Sequence, residues 1–156
     1  MIKNVEKIHL EDWQVNAFVG DNVEYYQKKW KEHQGSYYGG WNWVPFFFSL
    51  EWLAYRKMYK EAAIAFLIPL VINLVFIFSP FHLDVNSKLF ADTIKIIFAI
   101  FGNAMYRKKL LSILDKTKDM KQEQKKLLLS ERGGTSLISL GICLLLEVGL
   151  LILAFM

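Results

Sequence analysis

A single cysteine, Cys143, stands in the chain. One thiol cannot form an internal disulfide framework or seed a cysteine-based metal site within one polypeptide, and Cys143 reads as a small apolar core residue. The histidines His9, His33 and His82 are scattered, none beside a carboxylate pair at metal-ligand spacing. The motifs HExxH, G-x-S-x-G, P-loop and G-x-G-x-x-G are all missing, which removes the common metalloprotease, serine-hydrolase and nucleotide-binding signatures. No repeat is visible. The opening MIKNVEKIHLEDW lacks an apolar h-region and a small-residue cleavage site, so no secretory signal is expected there. No catalytic set, metal or cofactor is therefore expected, and an enzyme is the least favoured class.

Apolar residues and charges are both plentiful. The chain is 54% hydrophobic and 15% aromatic yet carries 19 Lys and Arg, a combination that requires segregation along the sequence. The basic residues flank apolar segments rather than forming one stripe, which favours an anionic membrane leaflet over nucleic acid as their counterpart.

Three transmembrane helices are predicted. AAIAFLIPLVINLVFIFSPF, residues 62–81, is uncharged and matches the ~20 residues that cross a bilayer, with Pro69 expected to kink it. After a short turn, FHLDVNSK, a weaker span covers about 89–106 and contains Asp92 and Lys95. The third runs from Thr135 onward with one charge, Glu147. Between the second and third, residues 107–134 are Lys-rich and punctuated by Leu. This basic loop reads as a helical hairpin or a continuation of span two, with Gly133 and Gly134 as a flexible break. Eight Lys and Arg precede span one and nine lie in 107–134, against Lys88 alone in the first connection. The positive-inside rule then puts the N-terminus and the 107–134 loop in the cytoplasm and the C-terminus outside.

The N-terminal region, 1–40, is polar and reads as cytoplasmic. Within it DNVEYYQKKWKEHQ predicts an amphipathic helix capped by Asp21 or Asn22, with Val23, Tyr26 and Trp30 on one stripe. That stripe is expected to pack against a membrane-proximal core, with a partner-binding face as the alternative. GSYYGG ends the helix.

Residues 41–60 set WNWVPFFFSLEWLAY against Arg56, Lys57 and Lys60. The apolar part is about fifteen residues long, a length more often interfacial or re-entrant than spanning, and contains Asn42, Pro45, Ser49 and Glu51. It predicts an interfacial or re-entrant helix with Pro45 in the first turn, Trp41, Trp43, Trp52, Tyr55 and Tyr59 at headgroup depth, and Arg56, Lys57 and Lys60 on lipid phosphates. The fold class expected is all-α and polytopic: three transmembrane helices, an N-terminal amphipathic helix and this aromatic helix.

An EYYQKKW helix, a WNWVPFFFSLEWLAYRKMY block and a later RGGTS before a final apolar helix resemble the domain-of-unknown-function 2628 family. The resemblance covers about 21–140. Its most specific part is Asn42-Trp43, Phe46-Phe47, Trp52 and Tyr55-Arg56-Lys57-Met58-Tyr59; the chain departs from the family pattern at Val44-Pro45 and Leu50-Glu51. It implies a small bacterial inner-membrane protein and supplies no reaction.

Asn73, Lys95 and Glu147 are the polar residues expected inside the membrane. At a rise of ~1.5 Å per residue they lie ~17, ~21 and ~18 Å from the inner boundary. An unpaired charge there costs ~2.5–3.5 kcal/mol on insertion scales, so a Lys95–Glu147 pair with Asn73 as hydrogen-bond partner is expected, fixing helix register rather than carrying protons. Ser136, Ser139, Cys143 and Glu147 form a small and polar stripe suited to helix contact. The leading expectation is a non-enzymatic inner-membrane protein that acts by binding, as an accessory or immunity-like protein. Its partners would be anionic lipid and a protein or a second copy. The alternative is a small oligomeric transporter or channel subunit built on the Lys95/Glu147 pair.

Overall fold

The computed structural model describes residues 10–78 and 87–154, all helix and connection with no strand among them. Residues 81–86 of the expected FHLDVNSK turn, with His82, and also His9 lie outside the described residues, while Ser87 and Lys88, expected in that turn, instead begin a helix. The elements are α1 (Asp12–Val19), α2 (Val23–Glu32), α3 (Trp43–Phe47), α4 (Ser49–Tyr55), α5 (Tyr59–Phe78), α6 (Ser87–Lys116), α7 (Gln122–Arg132) and α8 (Leu137–Ala154).

One buried core gathers the polar-flanked helices around the C-terminal half of α6. Along α6 the buried residues Ala99, Asn103, Tyr106 and Leu110 recur every three or four positions, with Phe98 beside Ala99, so they share one face. Against that face pack Tyr26 and Trp30 of α2 and Trp52 of α4, while α1 contributes Val15, Phe18 and Val19 and α7 contributes Leu129. The α2 stripe is thus a packing face. Asn22 caps α2 from a left-handed conformation, φ 64°, with no side-chain cap bond.

The 107–134 segment is both a continuation and a hairpin. Helix α6 runs on to Lys116, and α7 turns back to lie on α1. Gly133 and Gly134, expected to be a flexible break, are instead a tight joint. The Gly134 N–H donates to Phe18 O at 2.6 Å, and a Cβ on Gly133 would sit 2.0 Å from that same oxygen. GSYYGG is likewise docked rather than free. Gly39 N–H donates to Ile100 O and Asn42 N–H to Ala99 O, at 3.1 and 2.9 Å, both on α6.

The aromatic helix expected over 41–60 is broken in two. Asn42 caps α3 by accepting from Val44 N–H at 3.1 Å, and Pro45 occupies the first turn, where its missing N–H costs nothing. Phe48, φ −129° and ψ 63°, leaves helical geometry before α4 begins. Tyr59 and Lys60 belong to α5.

Among the described residues one helical stretch, Gln122–Leu150, is long and apolar enough to cross a membrane, with little of it buried. Its apolar part is α8, since α7 carries the charges. Pro69 lies inside α5, which continues through it.

Candidate functional site

Arg56 is the centre on which the core converges. It follows α4, is 2% exposed, and its Nη1 and Nη2 donate to Val19 O and Asp21 O at 3.1 and 3.2 Å. Those carbonyls lie at and just beyond the C-terminus of α1, where unpaired carbonyls favour a cation. The guanidinium carbon lies 4.8, 5.3 and 5.6 Å from the ring centroids of Tyr26, Tyr106 and Tyr55, within cation–π range. Among the described residues no carboxylate pairs with it. Burial pushes the Tyr26 phenol up from its ordinary range, while the Arg56 charge pulls it back.

Around Arg56 the aromatic rings interlock through Tyr106. Phe18, Tyr26, Trp30 and Trp52 lie 4.8, 5.1, 5.8 and 6.3 Å from it, centroid to centroid. Trp52 fits because Gly102 leaves room on α6: a Cβ there would meet its ring at 3.3 Å.

Asn103, fully buried on α6, was not anticipated. Its Nδ2 donates to Tyr25 Oη at 3.1 Å and to Gly39 O at 3.1 Å, its Oδ1 accepts from Asn42 Nδ2 at 2.8 Å, and its backbone O accepts from Trp30 Nε1 at 2.8 Å. A lone Asn in FGNAMY reads as part of a span. The available signal was GG followed by WNW, a close-approach pair of glycines beside a second buried amide.

The residues expected at headgroup depth divide. Trp52 and Arg56 are buried rather than on the open surface, a correction that follows from Arg56 closing the end of α1 and Trp52 seating on Gly102. Trp43 is 61% exposed, Tyr59 and Lys60 are exposed, and Trp41 and Tyr55 are half-buried. Phe47 and Phe48 join Trp43 on the outward side, 62% and 56% exposed. Lys57, left-handed at φ 55°, donates to Glu131 O at 2.9 Å rather than standing free.

Lys95 and Glu147 are not brought together. Lys95 Nζ pairs with Asp92, one turn earlier on α6, at 3.3 Å. Glu147 accepts from Cys143 Sγ at 3.6 Å on α8. The reason is helix placement: α8 docks on α4 and α6 packs on α3, so equal depth does not make neighbours. The Asn73 side chain lies outside the described residues. The small and polar stripe of α8 does face other helices. Ser139 Oγ shares a 2.9 Å hydrogen bond with Tyr59 Oη, Ser136 N–H donates to Tyr55 O at 2.8 Å, and Cys143 lines a groove of about 390 Å³ between α5 and α8.

No group of three or more His, Cys, Asp or Glu able to hold a metal ion occurs among the described residues. A family model described as protein of unknown function (DUF2628) matches residues 15–111. No curated protein and no solved structure matches the chain.

Proposed function

The chain belongs to the DUF2628 family, and from that premise we propose a non-enzymatic integral protein of the bacterial inner membrane that acts by binding. In this reading α5, the first half of α6 and α8 cross the bilayer, and a helical head made of the other elements stands in the cytoplasm.

The observation that carries it is which segments share the core. A three-span topology requires residues before span one and residues 107–134 to lie on one side. These are the parts that pack together, α1 on α7 and α2 on the C-terminal half of α6. Outside that core the apolar side chains turn outward: Phe78 at the end of α5 is 81% exposed and Ile138 on α8 is 79% exposed. Soluble proteins rarely leave such continuous apolar faces uncovered. The uncharged stretch of α5 and the outward Trp43, Phe47, Phe48 and Tyr59 fit a bilayer and its interface. Cations concentrated on the head side set the orientation.

Binding is favoured over transport. The transporter alternative was motivated by a Lys95–Glu147 pair, and the two residues find other partners. An accessory or immunity-like role suits a head held rigid by buried aromatics. A C-terminal alkaline phosphatase fusion should be active and a fluorescent-protein fusion at the same end dark. The reverse pattern overturns the three-span arrangement.

A further inference from the structure

We propose that the cleft between α2 and the α3–α4 segment binds an anionic phospholipid, with its phosphate beside Arg56 and Lys29 and an acyl chain along Phe48, Leu140 and Leu144. This deepens the membrane reading above and rests on it for the source of the ligand.

The cleft has a volume of about 640 Å³, and no carboxylate lines it. Its polar lining consists of potential donors, with Lys29 and Arg56 as cations and Asn22, Tyr25 and Trp41 beside them. Two of these donors are unfinished. Arg56 spends both Nη groups on carbonyls but its Nε, buried, has no partner, and Trp41 Nε1 is buried without one as well. A buried donor left without an acceptor is costly, and an entering acceptor removes that cost. With two cations and no acid in the wall, the acceptor that fits is an anion with several oxygens, as a phosphate has.

A phosphate alone leaves the rest of the geometry unused. Val44, Trp52 and Tyr55 line both this cleft and an apolar groove of about 300 Å³ that reaches Phe48 on one side and Leu140 and Leu144 of α8 on the other. Glu51 is the one charged residue along that groove. A cationic, donor-rich pocket joined to an apolar channel beside an exposed aliphatic helix is complementary to an anionic head with a tail. Trp43 and Phe48, both exposed, stand at this junction, where the interface of a bilayer would lie.

The test uses the full chain in detergent. Native mass spectrometry compares retention of phosphatidylglycerol and phosphatidylcholine with identical chains. Tryptophan fluorescence follows titration with their dihexanoyl forms and with inorganic phosphate. The anionic lipid should bind at least about fivefold tighter than the zwitterionic one, and Lys29→Met, at a half-buried position of α2, should remove most of that preference. Inorganic phosphate alone should bind far more weakly than the short-chain anionic lipid. Equal binding of the two lipids, a preference unchanged in Lys29→Met, or phosphate binding as tightly as lipid overturns the proposal. A reversed fusion pattern with lipid preference intact would overturn the span arrangement alone. The expected fusion pattern without the preference would overturn this site alone.

Discussion

Asn42 and Asn103, buried and 61 positions apart in sequence, meet amide to amide at 2.8 Å, Nδ2 of the first donating to Oδ1 of the second. The bond ties the start of the aromatic segment to the middle of α6. Both amides are fully engaged, since Asn42 Oδ1 also caps α3 and Asn103 Nδ2 also holds Gly39 O.

Asn103→Ala should therefore be among the more destabilising single changes in the head. It strands the Asn42 donor and the Gly39 carbonyl, and a loss of about 2–3 kcal/mol is expected from the ~1 kcal/mol typical of each bond plus the cost of the orphaned groups. Chemical denaturation in detergent of Asn42→Ala, Asn103→Ala and the double variant should give a coupling of about 1 kcal/mol. Additive losses would mean that the amides stabilise the fold separately.

Two glycines should respond in opposite ways to the same substitution. A Cβ at Gly39 would lie 2.5 Å from Ala104 N and 2.9 Å from Asn103 Cβ, so Gly39→Ala must push the segment off α6. Gly141, in α8, has nothing within 4 Å of its Cβ position. Gly141→Ala should be neutral or gain up to ~1 kcal/mol from helix propensity. Melting temperatures of the two variants in one detergent check this; a Gly39→Ala protein as stable as the parent would contradict the close approach.

Lys109 provides a pH signature. Its Nζ donates to the carbonyls of Arg56 and Lys57 at 3.1 and 2.9 Å, and burial pushes its pKa down to about 8. The unfolded chain therefore holds more protons at this site between about pH 8 and the ordinary lysine value near 10.4. Stability rises with pH wherever the unfolded state binds the extra proton, so the burial penalty is complete below about pH 8 and fades above it. The stability difference between the parent and Lys109→Met should be flat from pH 6 to 7.5 and should shift in the parent's favour from pH 8 to 10, as denaturation at fixed detergent concentration would register.

Periodicity exposed some of this molecule and not the rest. Tyr26 and Trp30 fall one helical turn apart among charges, and that spacing alone marked the face that α2 buries. The α8 stripe of Ser136, Ser139 and Cys143 was visible in the same way. Arg56 was read as an open interfacial cation because a sequence displays a charge beside aromatics but not the end of α1, 37 positions earlier, whose Val19 carbonyl it binds. The same composition serves a headgroup belt and a buried cation–π cluster. Lys95 and Glu147 were matched by depth, a single coordinate, while pairing also needs the two helices to be neighbours. Asn103 was hidden for a related reason. One amide within an apolar run looks like a tolerated defect until the chain that folds onto it is known.

Helix α6 is 30 residues long and spans about 45 Å without an interruption. In the proposed arrangement its first half crosses the bilayer and its second half is the spine of the head. No hinge separates them, so the two parts form one lever. A tilt of the membrane end by about 10° would swing the far end by roughly 8 Å, and α1, α2 and α7, fastened to the spine or to each other, must travel with it. In that arrangement, whatever meets the head would feel the inclination of α6 in the lipid.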